Sequence, residues 1–238
     1  MLRVTNIVPE AMMATAKTKQ KILKTFLDLL SSHSYDDVSL PLVADTAGVK
    51  LSDMRAAFGS KRSLVAAFLE KVDAEVLDER DEDMGDQPAR DRLFDVLMNR
   101  IDALAAHKEA VRSLRSAAKK DTALALDLNQ LETRSQKWML IAAGIDLSGP
   151  KAGLVSQGLA IAFNRVVDVW LDEEDEGMPR TMSKLDKELD NGTSFMKRIN
   201  RLEGLFQGIG SLLRTAADRR GRSKKTASAS DDEVAEPV

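Results

Sequence analysis

From Thr18 onward the apolar positions Ile22, Leu23, Phe26, Leu27, Leu29 and Leu30 recur at helical spacing, which predicts a helix to about Ser32. Ser39 stands where an N-cap belongs and Pro41 is tolerated in a first turn, so a short helix runs to about Thr46. Ala47-Gly48-Val49 then predicts a tight turn, because glycine takes the positive φ that ends one helix and aims the next. A second short helix follows from about Leu51 to Phe58, broken by Gly59. Ser60 caps a long helix through Leu64, Val65, Phe68, Leu69, Val72, Val76 and Leu77.

The acidic stretch Asp81 to Pro88, with Gly85 inside it, reads as a domain boundary. Beyond it, helices are predicted near 89–105, 108–118, 122–143, 150–172, 179–190 and 194–216, separated by Gly, Pro, Asn and charged breaks. The small, charged tail from about Ser223 carries no apolar pattern and predicts disorder. No repeat of solenoid period occurs.

Composition narrows the chemistry. The chain has 238 residues, enough for one large domain or two small ones, and no cysteine. Disulfides, thiolate zinc sites, iron–sulfur clusters and cysteine nucleophiles are therefore excluded. With 6 Pro, 13 Gly and 4% aromatic residues it lacks the turn formers of an all-β fold, and its Ala, Leu, Lys and Glu favour helices. Only His33 and His107 could supply imidazole; His33 follows the first helix, where it touches solvent or caps it, and His107 has no evident catalytic acid or nucleophile near it in sequence. No Ser sits in a GxSxG elbow, no GKS/T is present, and Gly204, Gly208 and Gly210 follow no strand and form no phosphate loop. The expectation is a protein without catalysis, cofactor or metal. Asp172–Glu176 either attracts a cation or is a solvated turn, and it lacks the spacing of a calcium loop. There is no run of about 18 apolar residues, and Met1–Met13 is too short and polar for a signal-peptide core, so a cytoplasmic protein is expected.

The net charge of −3 hides segregation. Residues 1–62 carry nine basic and six acidic groups, with Lys17, Lys19, Lys21 and Lys24 close together. Residues 71–91 carry three basic and nine acidic groups, and residues 214–225 six basic and one acidic. A basic end on a near-neutral chain either seeks phosphate or is an ordinary solvated surface.

Two short helices joined through Ala47-Gly48-Val49, between a supporting helix and a long one, follow the helix-turn-helix plan. Here the sequence resembles the TetR family of transcriptional regulators. Val43-Ala44, Ala47-Gly48-Val49, Phe58 and Ser60-Lys61 with Leu64 fall where that family's signature expects them, and the resemblance covers about residues 17–70. It implies a three-helix DNA-binding domain (15–62) ahead of a helical ligand-binding and dimerisation domain (63–216) and a tail (217–238). It also implies that Lys50, Leu51, Ser52 and Arg55 reach bases and phosphates, with Lys61 and Ser39 at phosphate-contacting positions. Two departures stand out: the family usually has tyrosine where Arg55 stands, and polar or basic residues where Asp53, Ala56 and Ala57 stand. Arg55 could replace the phosphate contact or read guanine bidentately, whereas Asp53 would repel phosphate.

The same resemblance implies an effector cavity enclosed by the middle helices and a dimer made through a helix pair. Stripes at Leu93, Phe94, Leu97, Ile101 and Leu104, at Val111 and Leu114, and at Trp138, Met139 and Ile141 are either core or pocket lining. A pocket so lined would take a hydrophobic or amphipathic effector. For dimerisation the candidates are Leu154, Val155, Leu159, Phe163, Val166, Val167 and Trp170, with Leu205 and Ile209 of the final helix.

A second, gapped resemblance spans about residues 90–214. Trp138, Ala143-Gly144, Trp170-Leu171-Asp172, Thr181 and Leu185 look like the lipid-binding accessory proteins of coenzyme Q biosynthesis, which share the TetR-like fold. It implies lipid binding and a partner enzyme. The final helix, with Phe195, Ile199, Leu202, Phe206 and Leu213 on one face and Lys197, Arg198 and Arg201 between, could lie on an anionic membrane, pack on the body or form a dimer seam. The leading expectation is an all-α, dimeric, ligand-responsive repressor that binds operator DNA; the alternative is the lipid-binding accessory protein.

Overall fold

A computed structural model describes residues 10–79, 85–192 and 194, with the backbone alone for residues 10–14. The described residues are helical, without a strand, in the order α1 (Glu10–Leu30), α2 (Leu40–Ala47), α3 (Leu51–Ala57), α4 (Lys61–Asp78), α5 (Ala89–Ala105), α6 (Lys108–Ala118), α7 (Thr122–Ala142) and α8 (Gly149–Leu171). Residues 179–192 form a further helix, α9. The all-α expectation holds, and the breaks fall close to the predicted places. The exception is α1, which begins at Glu10, eight residues before the predicted start at Thr18. Residues 10–17 include strong helix formers but lie ahead of the apolar stripe that marks the rest of the helix. The amphipathic segment 195–213 and the tail lie outside the described residues.

Local chemistry explains the short helices. Ser39, in extended backbone, accepts the Leu42 N–H at 3.2 Å and so caps α2, with Pro41 in the first turn. Gly48 ends α2 in the left-handed region at φ 61°, its N–H and that of Val49 returning to Asp45 and Ala44 carbonyls. A Cβ at Gly48 would meet only the Lys21 ammonium, at 3.8 Å, so conformation rather than crowding demands the glycine. Ser60 opens α4 with a reciprocal box: its hydroxyl accepts from Ser63 N–H, and Ser63 Oγ accepts from Ser60 N–H, both at 3.1 Å.

α1 backs the two short helices through buried Ile22, Phe26, Leu27 and Leu30, which meet Val43, Ala44, Ala47 and Met54. α4 leaves this group and packs on α5 and, more extensively, on α7. Among α1–α8, the packing of α7 on α8 is the most extensive helix pairing. Residues on both sides of the acidic 81–88 stretch belong to one compact unit, Met1–Leu189; the other unit, Asp190–Val238, is described only at 190–192 and 194.

α8 is long and apolar enough to cross a bilayer by composition, with a mean hydropathy of 1.2 over its best 18-residue window. It nevertheless buries Leu159, Phe163, Val166, Val167 and Trp170 in the protein core, at i, i+4, i+7, i+8 and i+11.

Candidate nucleic-acid interface and regulatory core

The turn at Gly48 sets α3 on the surface with one anchor. Met54 is buried, while Leu51, Ser52, Asp53, Arg55 and Ala56 are exposed. Lys50 is the extended N-cap residue of α3 and is likewise exposed, without a capping bond. Arg55 reaches back over the next turn, its Nη1 lying 3.8 Å from where a Cβ on Gly59 would sit. The structure thus brings Lys50, Leu51, Ser52 and Arg55 to one exposed helix. Exposed Lys17, Lys19 and Lys21 stand on α1, and Lys21 adjoins the turn. Lys24 is spent on Asp28 at 2.6 Å.

The two outlying members of the predicted set are engaged locally. Ser39 holds the α2 cap through its oxygen, which leaves its hydroxyl hydrogen free to donate. Lys61 folds inward: its Nζ donates to the Tyr35 carbonyl at 2.7 Å and sits 4.1 Å above the Tyr35 ring. Beside it, Arg62 pairs with Asp127 and donates to Gln130 of α7 at 3.0 Å, tying the first turn of α4 to the middle helices.

The predicted pocket stripes divide. Leu93, Leu97, Ile101, Leu104, Val111 and Leu114 are buried together in the core, and Phe94 is half-buried. Trp138 and Ile141 are instead 48% and 54% exposed, because α7 turns Ser135, Met139 and Ala142 inward and places 138 and 141 on the opposite side. They do not join the apolar cluster. The dimerisation set needs a similar correction: Leu159, Phe163 and Val167 are core residues, whereas Leu154 and Ile161 are the exposed apolar residues of α8. Gly158, between them, has nothing within 4 Å of its would-be Cβ. Leu205 and Ile209 fall outside the described residues.

A buried polar cluster went unread in the sequence. Arg100 of α5, 0% exposed, pairs with Asp73 of α4 and, at 3.4 Å, with Glu132 of α7. Ser135 donates to Asp73 at 2.7 Å and Gln136 to Glu132 at 2.6 Å. Burial alone would lower the guanidinium's pKa, but Glu132 and Asp73 outweigh it and hold that pKa above the usual value. Arg100 Nε and Gln136 Oε1 have no hydrogen-bond partner among the described residues. The signal was present: Arg100 interrupts the apolar stripe Leu93, Leu97, Ile101, Leu104, where a charge survives burial only if paired.

Two other sequence features resolve. Asp172–Glu176 is more than a solvated turn, since buried Glu173 accepts from the Arg180 and Thr181 N–H groups at 2.8 Å and from the Thr181 hydroxyl at 2.6 Å. Burial pushes its pKa up, but these donors outweigh that and hold it below the usual carboxylate value. Asp175 caps Gly177 N–H at 2.8 Å. His107 precedes α6 and meets Phe68 edge-on at 5.3 Å; burial, then Lys71, lowers its pKa.

No protein-family model and no curated protein sequence matches the chain. Solved structures do. A TetR transcriptional regulator from Nitrosomonas europaea is similar at a TM-score of 0.60 and 21% identity, over 74% of this chain and 98% of that one. A TetR transcriptional regulator from a Rhodococcus species is similar at a TM-score of 0.55 and 18% identity, over 74% and 96%. The comparisons do not show the likeness to coenzyme Q accessory proteins. At these identities the finding concerns architecture: the chain has a TetR-like, all-α fold.

Proposed function

We propose that the chain is a ligand-responsive, DNA-binding transcriptional regulator, a non-enzyme that represses by binding operator DNA as a dimer. One observation carries the reading: the left-handed Gly48 turn presents α3 with Lys50, Leu51, Ser52 and Arg55 outward and only Met54 anchored inward. A helix so mounted can enter a major groove by its N-terminal end. Exposed Lys17, Lys19 and Lys21 supply phosphate attraction near it. Residues 15–62 would be the reading domain and 63–216 the regulatory and dimerisation domain, in a cytoplasmic protein.

In this reading the face of α8 bearing Leu154, Gly158 and Ile161 meets a second copy, setting two α3 helices about 34–36 Å apart or a multiple of it. α4 joins the reading helices to the core, through Arg62 at one end and Asp73–Arg100 farther along. A hydrophobic or amphipathic effector among α5–α8 that prefers the DNA-incompetent arrangement would shift the population and release the operator. Arg55→Ala is the residue-level test: lower affinity with relaxed sequence preference supports reading by this residue. Unchanged affinity for every DNA tested removes it from that role. Retention of lipid vesicles in place of DNA would favour the accessory-protein alternative.

A further inference from the structure

A groove of about 370 Å³ lies between the chain leaving α1 (residues 31–36) and the face of α6 from Glu109 to Lys120. No residue of α3 lines it. Its volume falls within the range of about 300–1,000 Å³ typical of small-molecule sites. Buried Leu30, Tyr35 and Ala117 contribute apolar lining, and the Ser113 hydroxyl donates to the His33 carbonyl at 3.1 Å, linking the two walls.

The hydrogen-bond inventory of this lining is lopsided. Ser31, Ser32, Ser34 and Ser113 each already donate their single hydroxyl hydrogen within the protein, to Leu27, Leu29, Asp37 and His33 respectively. What they still offer is lone pairs. The carboxylate of Asp36 adds further acceptors, and that of Glu109 is shared with Arg112. On the donor side, Lys120 and Ser116 make no side-chain hydrogen bond or ion pair among the described residues. Arg112 is occupied by Glu109, Asp172 and the Leu171 carbonyl. An anion would face this excess of acceptors, and a polycation would face Lys120 and Arg112. The lining's formal charges, two acids against two bases, cancel.

We propose that this groove binds a small, neutral, polyhydroxylated molecule of the sugar or polyol class. Its hydroxyls would donate to the serine oxygens and carboxylates and accept from Lys120 and Ser116, while its C–H faces rest on the apolar lining. Because the groove joins the segment after α1 to α6, occupancy favours the arrangement that holds these walls together. If α3 reads DNA as proposed above, sugar and DNA affinities shift by the same factor.

The test uses the full chain without DNA, so its outcome is independent of DNA reading. Hydrogen exchange is followed at residues 31–36 and 109–120 with glucose or trehalose at millimolar concentration, and separately with inorganic phosphate or spermidine. The expected result is protection of both segments by at least one sugar and by neither ion. Ser116→Trp, which fills the groove from an exposed position, should weaken that binding by about tenfold or more, equivalent to 1.4 kcal/mol. Lys120→Ala, which cannot disturb packing, should weaken it several-fold. Absence of protection by both sugars, protection by phosphate or spermidine instead, or sugar binding indifferent to both variants would each overturn the proposal.

Discussion

Replacing Arg100 with methionine keeps most of the side-chain volume and removes the one cation between Asp73 and Glu132. Both carboxylates are nearly buried, with 7% and 9% of their residues' surface exposed, and would keep only Ser135 and Gln136 as hydrogen-bond partners. Removing one partner of a buried ion pair costs about 3–5 kcal/mol, because the stranded charge has lost its solvent and its counter-ion. Against a typical total of about 5–15 kcal/mol, that is a large share. In a chain of this length it corresponds to a melting temperature lower by about 6–20 °C. Urea unfolding of Arg100→Met and the native chain, followed by circular dichroism at pH 7, should show this loss. Adding Glu132→Gln to the variant should recover part of the loss at pH 7. A difference below about 1 kcal/mol would refute the charged, buried cluster.

Gly48→Ala should cost about 1–2 kcal/mol, since space is open there and only the left-handed backbone resists; thermal unfolding gives the value, and no change would mean the turn relaxes freely. Glu173→Gln should loosen the start of α9, seen as faster amide exchange from residue 180 onward. With its pKa held down, native Glu173 contributes stability that is fully present above its unfolded pKa and is lost as pH falls through the lower folded one, so the protection of α9 amides relative to their intrinsic exchange rates should fall in acid. Ile161→Glu should shift the native mass in sedimentation toward a monomer while leaving the helical spectrum intact. An unchanged mass would remove this face of α8 from the proposed dimer seam.

Legibility in the sequence followed the physics of each feature. The caps at Ser39 and Ser60 and the turn at Gly48 are local devices, each decided by one side chain and its neighbours, and they appear where the sequence placed them. The outward-facing positions of α3 were legible for the same reason, because a helix anchored through Met54 leaves a fixed set exposed. The longer apolar runs were ambiguous. On α8 the residues from Leu154 to Trp170 include two apolar faces, and periodicity alone does not say which one the protein's own core takes. On α7, Trp138 looked like lining because it is large and apolar, yet Met139 beside it points inward instead. Lys61 was legible as a cation but not as a partner of Tyr35, 26 residues earlier, and the Arg100 cluster joins three helices in a way no local pattern specifies.

The proposed DNA reading by α3 is tested most directly by selection of fragments from the organism's own genome by the purified full chain, at two salt concentrations. The expected result is recovery of one palindromic site, with log affinity falling against log salt by about 0.9 per phosphate contacted. Retention that is weak, indifferent to sequence and abolished by modest salt would contradict it, leaving α3 a helix mounted for reading that reads nothing.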